Sequence, residues 1–409
     1  ATANAEGFYL HSAFVNAGVA QPGFFRDKYD CSANGSVASS IALAMPMVSS
    51  PAAGQVGFSA VGATNAYYGA FAAARTRGAK FHPETVQQAD AITRISEAHA
   101  QASTATTYCA WWSAGSTNYP KGCDNNALGS TDDGTLTFTS AGAASYPNMA
   151  KTGSGSSFAK TTHNGQACGI ADVAGNIYKI NPGMTGIGTT KAITAATKTN
   201  PVQITVTGHG RITGDVAVID GVVGMTQINT KAFTVTVVDA NNLTLDGVDG
   251  TGFGTYTSGG TLYNATFYAL KPTADITAIT DGATLSTDHW GAAGVAANFD
   301  VITLNFRTDY PNNAIGQRYG NGSNAVFSNA TAADRARTML GMPAAGGVSP
   351  SGSSLMGTDY YYQHMVNQIC VVSRGYWNTG SIAGGRSRLL NAVRSNAYYY
   401  VGFAACRYL

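Results

Sequence analysis

The chain has 409 residues, 44% hydrophobic and only 11% charged, with a formal net charge of +2. That charge gives no electrostatic reason to bind nucleic acid, and no apolar run approaches the ~20 residues of a membrane span. A charged fraction well below the ~25% of an average soluble domain, with 49 glycines and 21 tyrosines, fits a β-rich, loop-rich extracellular or virion protein better than a helical cytosolic enzyme.

The opening segment, ATANAEGFYL, lacks the basic and apolar regions of a signal peptide. Ala66 to Thr76 (AYYGAFAAART) places Tyr67, Phe71 and Ala74 at helical spacing. His82 to Ala102 predicts a second helix, with Pro83 and Glu84 in its first turn and Val86, Ala89, Ile92 and Ile95 repeating along one face. Thr331 to Leu340, between a capping Asn329 or Thr331 and Gly341, predicts a third. The six cysteines (Cys31, Cys109, Cys123, Cys168, Cys370 and Cys406) form no CxxC pair. Cys109 and Cys123 are close enough to staple one loop; buried free thiols are the equal alternative.

From about Lys191 to Leu262 the pattern changes to regular alternation: VQITVTG, DVAVIDGV, AFTVTVVD and NNLTLDGV, each ending in a turn residue. Period two puts one face on a core and the other in water, so these runs predict a small barrel or sandwich, closed by GTYTSGGTLY.

Catalytic signatures are absent. There is no HExxH, P-loop or GxSxG, and no two of the seven histidines share an i, i+4 helix face. Asp132–Asp133 and Asp246 with Asp249 offer oxygens for calcium, but Asp-Gly turns explain them more simply. No cofactor is expected.

The alternating block, through TGHGRITGDVAVIDGVVGMTQINTKAFTV and DGVDGTGFGTYTSGG, resembles a β-module of phage tail and tail-fibre proteins. The flanking regions resemble a different family. ADVAGNIYKI (Ala171 to Ile180), VSRGYWNTGS (Val372 to Ser381) and the ending VGFAACRYL are similar to three elements of the C-type-lectin-like fold of the formylglycine-generating-enzyme type: a D-[MV]-x-G-N-[VI]-[WY]-E-[WF] strand, R-G-G-S-W, and a terminal G-F-R. Asp172, Val173, Gly175, Asn176, Ile177 and Tyr178 match the first, with Lys179 replacing the usual acid. Arg374, Gly375 and Trp377 match the second, one residue shorter; Gly402 and Phe403 match the third.

This resemblance implies an α+β chain: a discontinuous C-type-lectin-like domain (1–190 and 263–409, with 1–30 as a candidate N-terminal extension) carrying an all-β insert at 191–262. The enzyme branch of the family uses two cysteines between the second and third elements. Tyr376 to Ala405 contains none, so the chain is expected not to be an enzyme. The other branch is the variable protein of diversity-generating retroelements, whose C-terminal cassette is rewritten at template adenines. Trp377 to Gly384 and Ser395 to Phe403 follow that cassette without a gap. Asn378, Thr379, Ile382, Leu389, Asn391, Ala392, Tyr398 and Tyr400 stand where the template tends to have Asn, and AAC or AAC with its adenines replaced encodes each. Trp377, Gly380, Ala383, Gly384, Leu390, Val401 and Gly402 keep the family's scaffold type.

The resemblance therefore implies a variable ligand-binding region at 374–406. Its expected contact residues are Tyr376, Asn378, Thr379, Ser381, Ile382, Arg388, Leu389, Asn391, Ala392, Arg394, Asn396, Ala397, Tyr398, Tyr399 and Tyr400. Tyrosine supplies rigid amphipathic area, as in antibody paratopes, while Arg374, Arg386, Arg388 and Arg394 add forked donors. Read as a strand, the Tyr run would expose Tyr398 and Tyr400 and bury Tyr399, or the reverse. Trp377 is expected to support the loop from within. The implied partner is a host or other surface ligand, protein or glycan, met by a virion or cell-surface protein, which is also a candidate homo-oligomer. The alternatives are a structural tail-fibre component or, disfavoured, a sulfatase-modifying-type oxidase.

Overall fold

A computed structural model of the chain describes residues 10–102, 136–137, 149–155, 162–164, 166–279, 295–302, 314–318, 359–364, 368–379 and 383–409. It is mainly β, with 37% strand against 15% helix, and this corrects the α+β expectation. The reason lies in the helical patterns themselves. Ala66 to Thr76 becomes a 3-10 turn, Tyr67–Gly69, and a short helix, Ala70–Arg75. The second pattern becomes a helix only from Val86, running to Ala102. Its cap is reciprocal: the Gln88 N–H donates to Thr85 Oγ1 (3.1 Å), and the Thr85 N–H donates to Gln88 Oε1 (3.0 Å). His82–Pro83 is instead a strand, held by the terminal strand Ala405–Tyr408. The third pattern, Thr331 to Leu340, lies outside the described residues, as do Cys109, Cys123 and Asp132–Asp133.

The C-terminal region is built on a six-stranded mixed sheet. Its order is Ala314–Arg318, Tyr360–His364, Arg388–Val393, Ile369–Ser373, Tyr178–Ile180, Val401–Gly402. The chain leaves this sheet at the Tyr178–Ile180 strand, builds the β-module, and re-enters the sheet at its edge strand Ala314–Arg318. The long strands Met184–Ala192 and Ser258–Leu270 form the neck, paired from Met184↔Ala269 to Ala192↔Thr261. At the far end of the neck the first strand changes partner: the Ile193 N–H still donates to Gly260 O, while the Thr194 N–H donates to Thr205 O. One segment thus supplies both edges of the sheet 203–205, 242–245, 231–237, 216–223, 258–270, and closes it. Closure removes the open edges of the module itself, while Phe299–Ile302 pairs with the base of the neck at Phe267–Leu270. The inward residues of the alternating runs, Ile204, Val206, Ala217, Ile219, Val235, Leu243 and Leu245, form the module's own core.

The N-terminal region is not an appendage from residue 10 onward. Phe24–Arg26 pairs with Ala405–Tyr408, Cys31 donates its amide to Phe403 O, and His11 Nε2 lies 3.0 Å from Asp90 Oδ2. The described cysteines, Cys31, Cys168, Cys370 and Cys406, are free thiols. No described helix is long and apolar enough to cross a membrane.

These segments meet at a buried charge cluster. Arg374 Nη1 donates to Glu84 Oε2 (2.9 Å), and Arg26 Nε approaches Glu84 Oε1 (3.4 Å). Beside them Lys179 Nζ lies 3.4 Å from Asp30 Oδ2 and donates to Gly175 O (2.7 Å). Asp172 accepts from the Thr152 hydroxyl (2.9 Å) and the Gly153 amide (2.7 Å). Burial raises Glu84, but Arg374 and Arg26 outweigh it and hold the carboxyl below its ordinary value. Burial pushes Asp30 up to about 7 in spite of Lys179, with Asp172 adding to the rise, and lowers Lys179.

Two outcomes follow. Lys179→Met leaves Asp30 and Asp172 without their buried cation and should destabilise the chain by about 3–5 kcal/mol in denaturant unfolding. Asp30 has a folded value of about 7 against an ordinary 3.8, so the folded chain holds this proton over a range where the unfolded chain has released it. Its contribution is full below about pH 4 and lost as pH rises through about 7. Asp30→Asn should therefore flatten the fall in unfolding free energy between those limits, measured by denaturant titration at both ends.

Candidate ligand-binding surface

Arg374 ends the Ile369–Ser373 strand in a left-handed conformation (φ 73°), and its fork is spent on Glu84 and on Ala89 O (2.9 Å). The chain then turns over the Asp172–Asn176 loop. The Gly175 amide donates to Arg374 O (2.7 Å), and the Trp377 amide donates to Asn176 O (3.0 Å). Trp377 is fully buried with Val48, Met149, Ala150 and Ile177 beneath the loop. Thr379 braces the turn: its hydroxyl accepts from the Tyr376 amide (2.8 Å). Tyr376, Asn378 and Thr379 remain partly exposed. Ser381, Ile382 and Gly380 lie outside the described residues.

The next strand, Arg388–Val393, alternates strictly: Arg388, Leu390 and Ala392 are buried, while Leu389, Asn391 and Val393 reach the surface. This corrects two expected contacts. Ala392 is 5% exposed and Arg388 is fully buried, with its Nη1 donating to Gly385 O and Ser387 O (both 3.0 Å). Arg394 is also buried, at 4%. Arg374 and Arg386 fail as surface donors for the same reason; Arg386 is tied to Glu97 and Asp90. In this chain the guanidinium groups of Arg374, Arg386 and Arg388 hold the scaffold, because each faces acids or carbonyls of the interior.

Residues 394–400 are not a strand, so the alternation expected for the Tyr run does not apply. Their main chain is held from outside the cassette. The Tyr68 amide donates to Arg394 O (3.2 Å) and the Tyr67 amide to Asn396 O (2.9 Å). Ser49 Oγ accepts from the Tyr398 amide (3.0 Å) and donates to Tyr398 O (3.1 Å). Gln55 Nε2 donates to Tyr399 O (2.8 Å), and the Tyr178 amide donates to Tyr400 O (2.9 Å). The Ser49 amide donates to Val401 O (2.7 Å). The side chains are left to stack on one another. Tyr400 lies between Tyr398 (5.2 Å, 14°) and Tyr376 (4.3 Å, 23°), with Tyr178 next to Tyr376 (5.2 Å). Tyr399 meets Tyr400 edge-on (5.0 Å) and Trp377 at 6.1 Å.

Beside the stack is a recess of ≈90 Å³. It brings together Leu389, Asn391, Asn396, Tyr398 and Tyr400 from the expected set, with the otherwise buried Ala392 in its wall, and Tyr67 and Tyr178 from outside that set. Its lining carries no charged side chain. Burial, reinforced by neighbouring tyrosines, raises Tyr400 and keeps its hydroxyl neutral. Cys370 is pushed up to about 12 by burial, which makes it a poor thiolate. The surface is suited to flat apolar contact with amide and phenol hydrogen bonds, most exposed at Tyr398 (40%). Ala397 is half-buried and is not part of the recess.

The residues that sequence reading missed are Ser49, Gln55, Tyr67 and Tyr178, all remote in sequence from the cassette. Tyr67 falls in a stretch whose spacing predicts a helix; the 3-10 turn there aims its ring at Tyr398 (6.3 Å). Among the described acids, Asp249 accepts from the amide (3.0 Å) and hydroxyl (2.7 Å) of Thr251, the use expected of a turn aspartate.

Ser49→Ala removes two hydrogen bonds to the Tyr398 main chain. It should lower stability by about 1–3 kcal/mol and speed amide exchange at Tyr398 and Val401 more than at the module core, measured by hydrogen exchange.

Residues 197–265, the β-module with the start of its return strand, are similar to the ubiquitin-activating enzyme E1 FCCH domain. No curated protein matches the chain.

Proposed function

We propose that the chain is a ligand-binding variable protein of a diversity-generating retroelement and not an enzyme. Its C-terminal surface, on a scaffold of the C-type-lectin-like type, meets a protein or glycan on a host or other surface, and the protein is displayed on a virion or cell. One observation carries this reading. Within the cassette, positions open to adenine mutagenesis and positions of scaffold type separate by burial. Asn378, Thr379, Leu389, Asn391, Tyr398 and Tyr400 all reach the surface, whereas Trp377, Ala383, Gly384, Leu390, Val401 and Gly402 are all buried. Ala392 is the exception.

Steric limits support the same division. A Cβ on Gly402 would run into the carbonyl of Met47, and one on Gly384 into the Asp359 carboxylate. Neither position tolerates change, whereas the stacked tyrosines touch mainly each other. Tyrosine and asparagine side by side give an adaptable contact surface at low entropy cost. The β-module on its two-stranded neck acts as a spacer in this reading.

Two measurements test it. The genome should carry a near-copy of the coding segment for Tyr376–Phe403 that differs only at adenines and lies beside a reverse-transcriptase gene; a complete genome without that repeat overturns the retroelement assignment. On the protein, Tyr398→Ala and Asn391→Ala should each weaken binding to host-cell surface material about tenfold while leaving the melting temperature nearly unchanged. Unchanged binding in both removes this surface from the function.

A further inference from the structure

A larger cavity of ≈460 Å³ shares no lining residue with the recess among the tyrosines. Its size falls within the roughly 300–1,000 Å³ typical of small-molecule sites. The walls come from the Leu10–Asn16 segment, the first turns of the Val86–Ala102 helix, the chain after Leu270, and the terminal strand. Val15, Leu270, Ala274, Ile276 and the ring of Tyr408 give it an apolar interior.

The charge around it is one-sided. Arg94 and Lys271 line the cavity, and no carboxylate does among the described residues. Asp90, one helical turn before Arg94, is already committed: it is met by His11 Nε2 (3.0 Å), Arg94 Nε (2.7 Å) and Arg386 Nη1 (3.4 Å). Ala13 donates its amide to His11 Nδ1 (3.1 Å), so the proton of a neutral ring sits on Nε2 and points at Asp90. Arg94 keeps 47% of its side chain exposed, and its two terminal nitrogens have no partner among the described residues. The site therefore pairs a body of apolar surface with unspent guanidinium donors.

We propose that this cavity binds a small amphipathic carboxylate: an aliphatic chain with one terminal acid, the tail against Val15, Leu270 and Ile276, the acid on the Arg94 guanidinium, with the Lys271 ammonium, which donates to Ala297 O (3.4 Å), adding positive charge beside it. A neutral alcohol of the same length would bury the same apolar area but leave the Arg94 donors to water. An alkylammonium would meet them with like charge. Discrimination by head group at constant tail is thus the signature of the site.

The test uses the full chain with decanoate, decanol and decyltrimethylammonium as probes, followed by calorimetry and thermal unfolding. Decanoate should bind and raise the melting temperature. Decanol should bind about tenfold more weakly, and the ammonium probe weaker still. Arg94→Gln should bring decanoate to the level of decanol, and Val15→Trp, at a partly exposed wall position, should weaken both. Lys271→Gln provides a second charge change remote from the helix, should Arg94→Gln unsettle Asp90. No binding of decanoate to the folded parent chain overturns the proposal, and so does equal binding by the parent and both charge variants.

Discussion

The structure depends on a charge cluster taken out of water. Lys179 is fully buried, and its charge is answered by Asp30 from one side and Asp172 from the other. Arg374, Glu84 and Arg26 form a second set against it. Desolvating such groups costs several kcal/mol each, so their value lies less in net stability than in excluding alternatives. Any register that separates Arg374 from Glu84, or Lys179 from Asp30, strands a charge in the interior. The cluster joins the first strand region, the segment before the long helix, the Asp172–Asn176 loop and the end of the Ile369–Ser373 strand. It therefore fixes the point from which the C-terminal segment after Arg374 departs.

From that point the cassette is built to separate main chain from side chain. The backbone from Arg394 to Val401 is bonded by Ser49, Gln55, Tyr67, Tyr68 and Tyr178, all outside the cassette. Most of these contacts engage carbonyls and amides, which every residue but proline supplies alike. Tyr376, Tyr398 and Tyr400 pack on one another, and Tyr178 and Tyr67 are rings from outside that join them. A surface supported in this way can change composition without losing its path, because the hydrogen bonds that shape it do not depend on which side chain it carries.

The β-module shows the opposite economy. Its fold is local: alternating runs, short turns and a closed sheet with a core of its own. Only the neck strands Met184–Ala192 and Ser258–Leu270 join it to the rest, and they do so in the body of the six-stranded region, where the Thr185 hydroxyl donates to Ile369 O (2.9 Å). A unit that completes its own hydrogen bonding and its own core can be inserted at such a point without disturbing the host sheet.

The sequence by itself determined what depends on period and composition. The strands of the module and the helix around Ile92 could be read from local pattern, because a two-residue or helical repeat declares its own inside face, although Ile95, on the same repeat, is exposed; the interior places of Trp377, Gly384, Leu390 and Phe403 were expected from the family resemblance alone. The overall class could not: short helical patterns suggested α+β, and the tertiary structure is mainly β because the helices stay short while strands take 37% of it. Nor could the fate of the arginines be read. Arg388 and Arg394 look like surface donors until Gly385, Ser387 and the rest of the interior are folded around them. Long-range partners decide which polar groups are spent and which are free. For the same reason Ser49, Gln55 and Tyr67, more than 300 residues from the tyrosines they hold, became legible only in three dimensions.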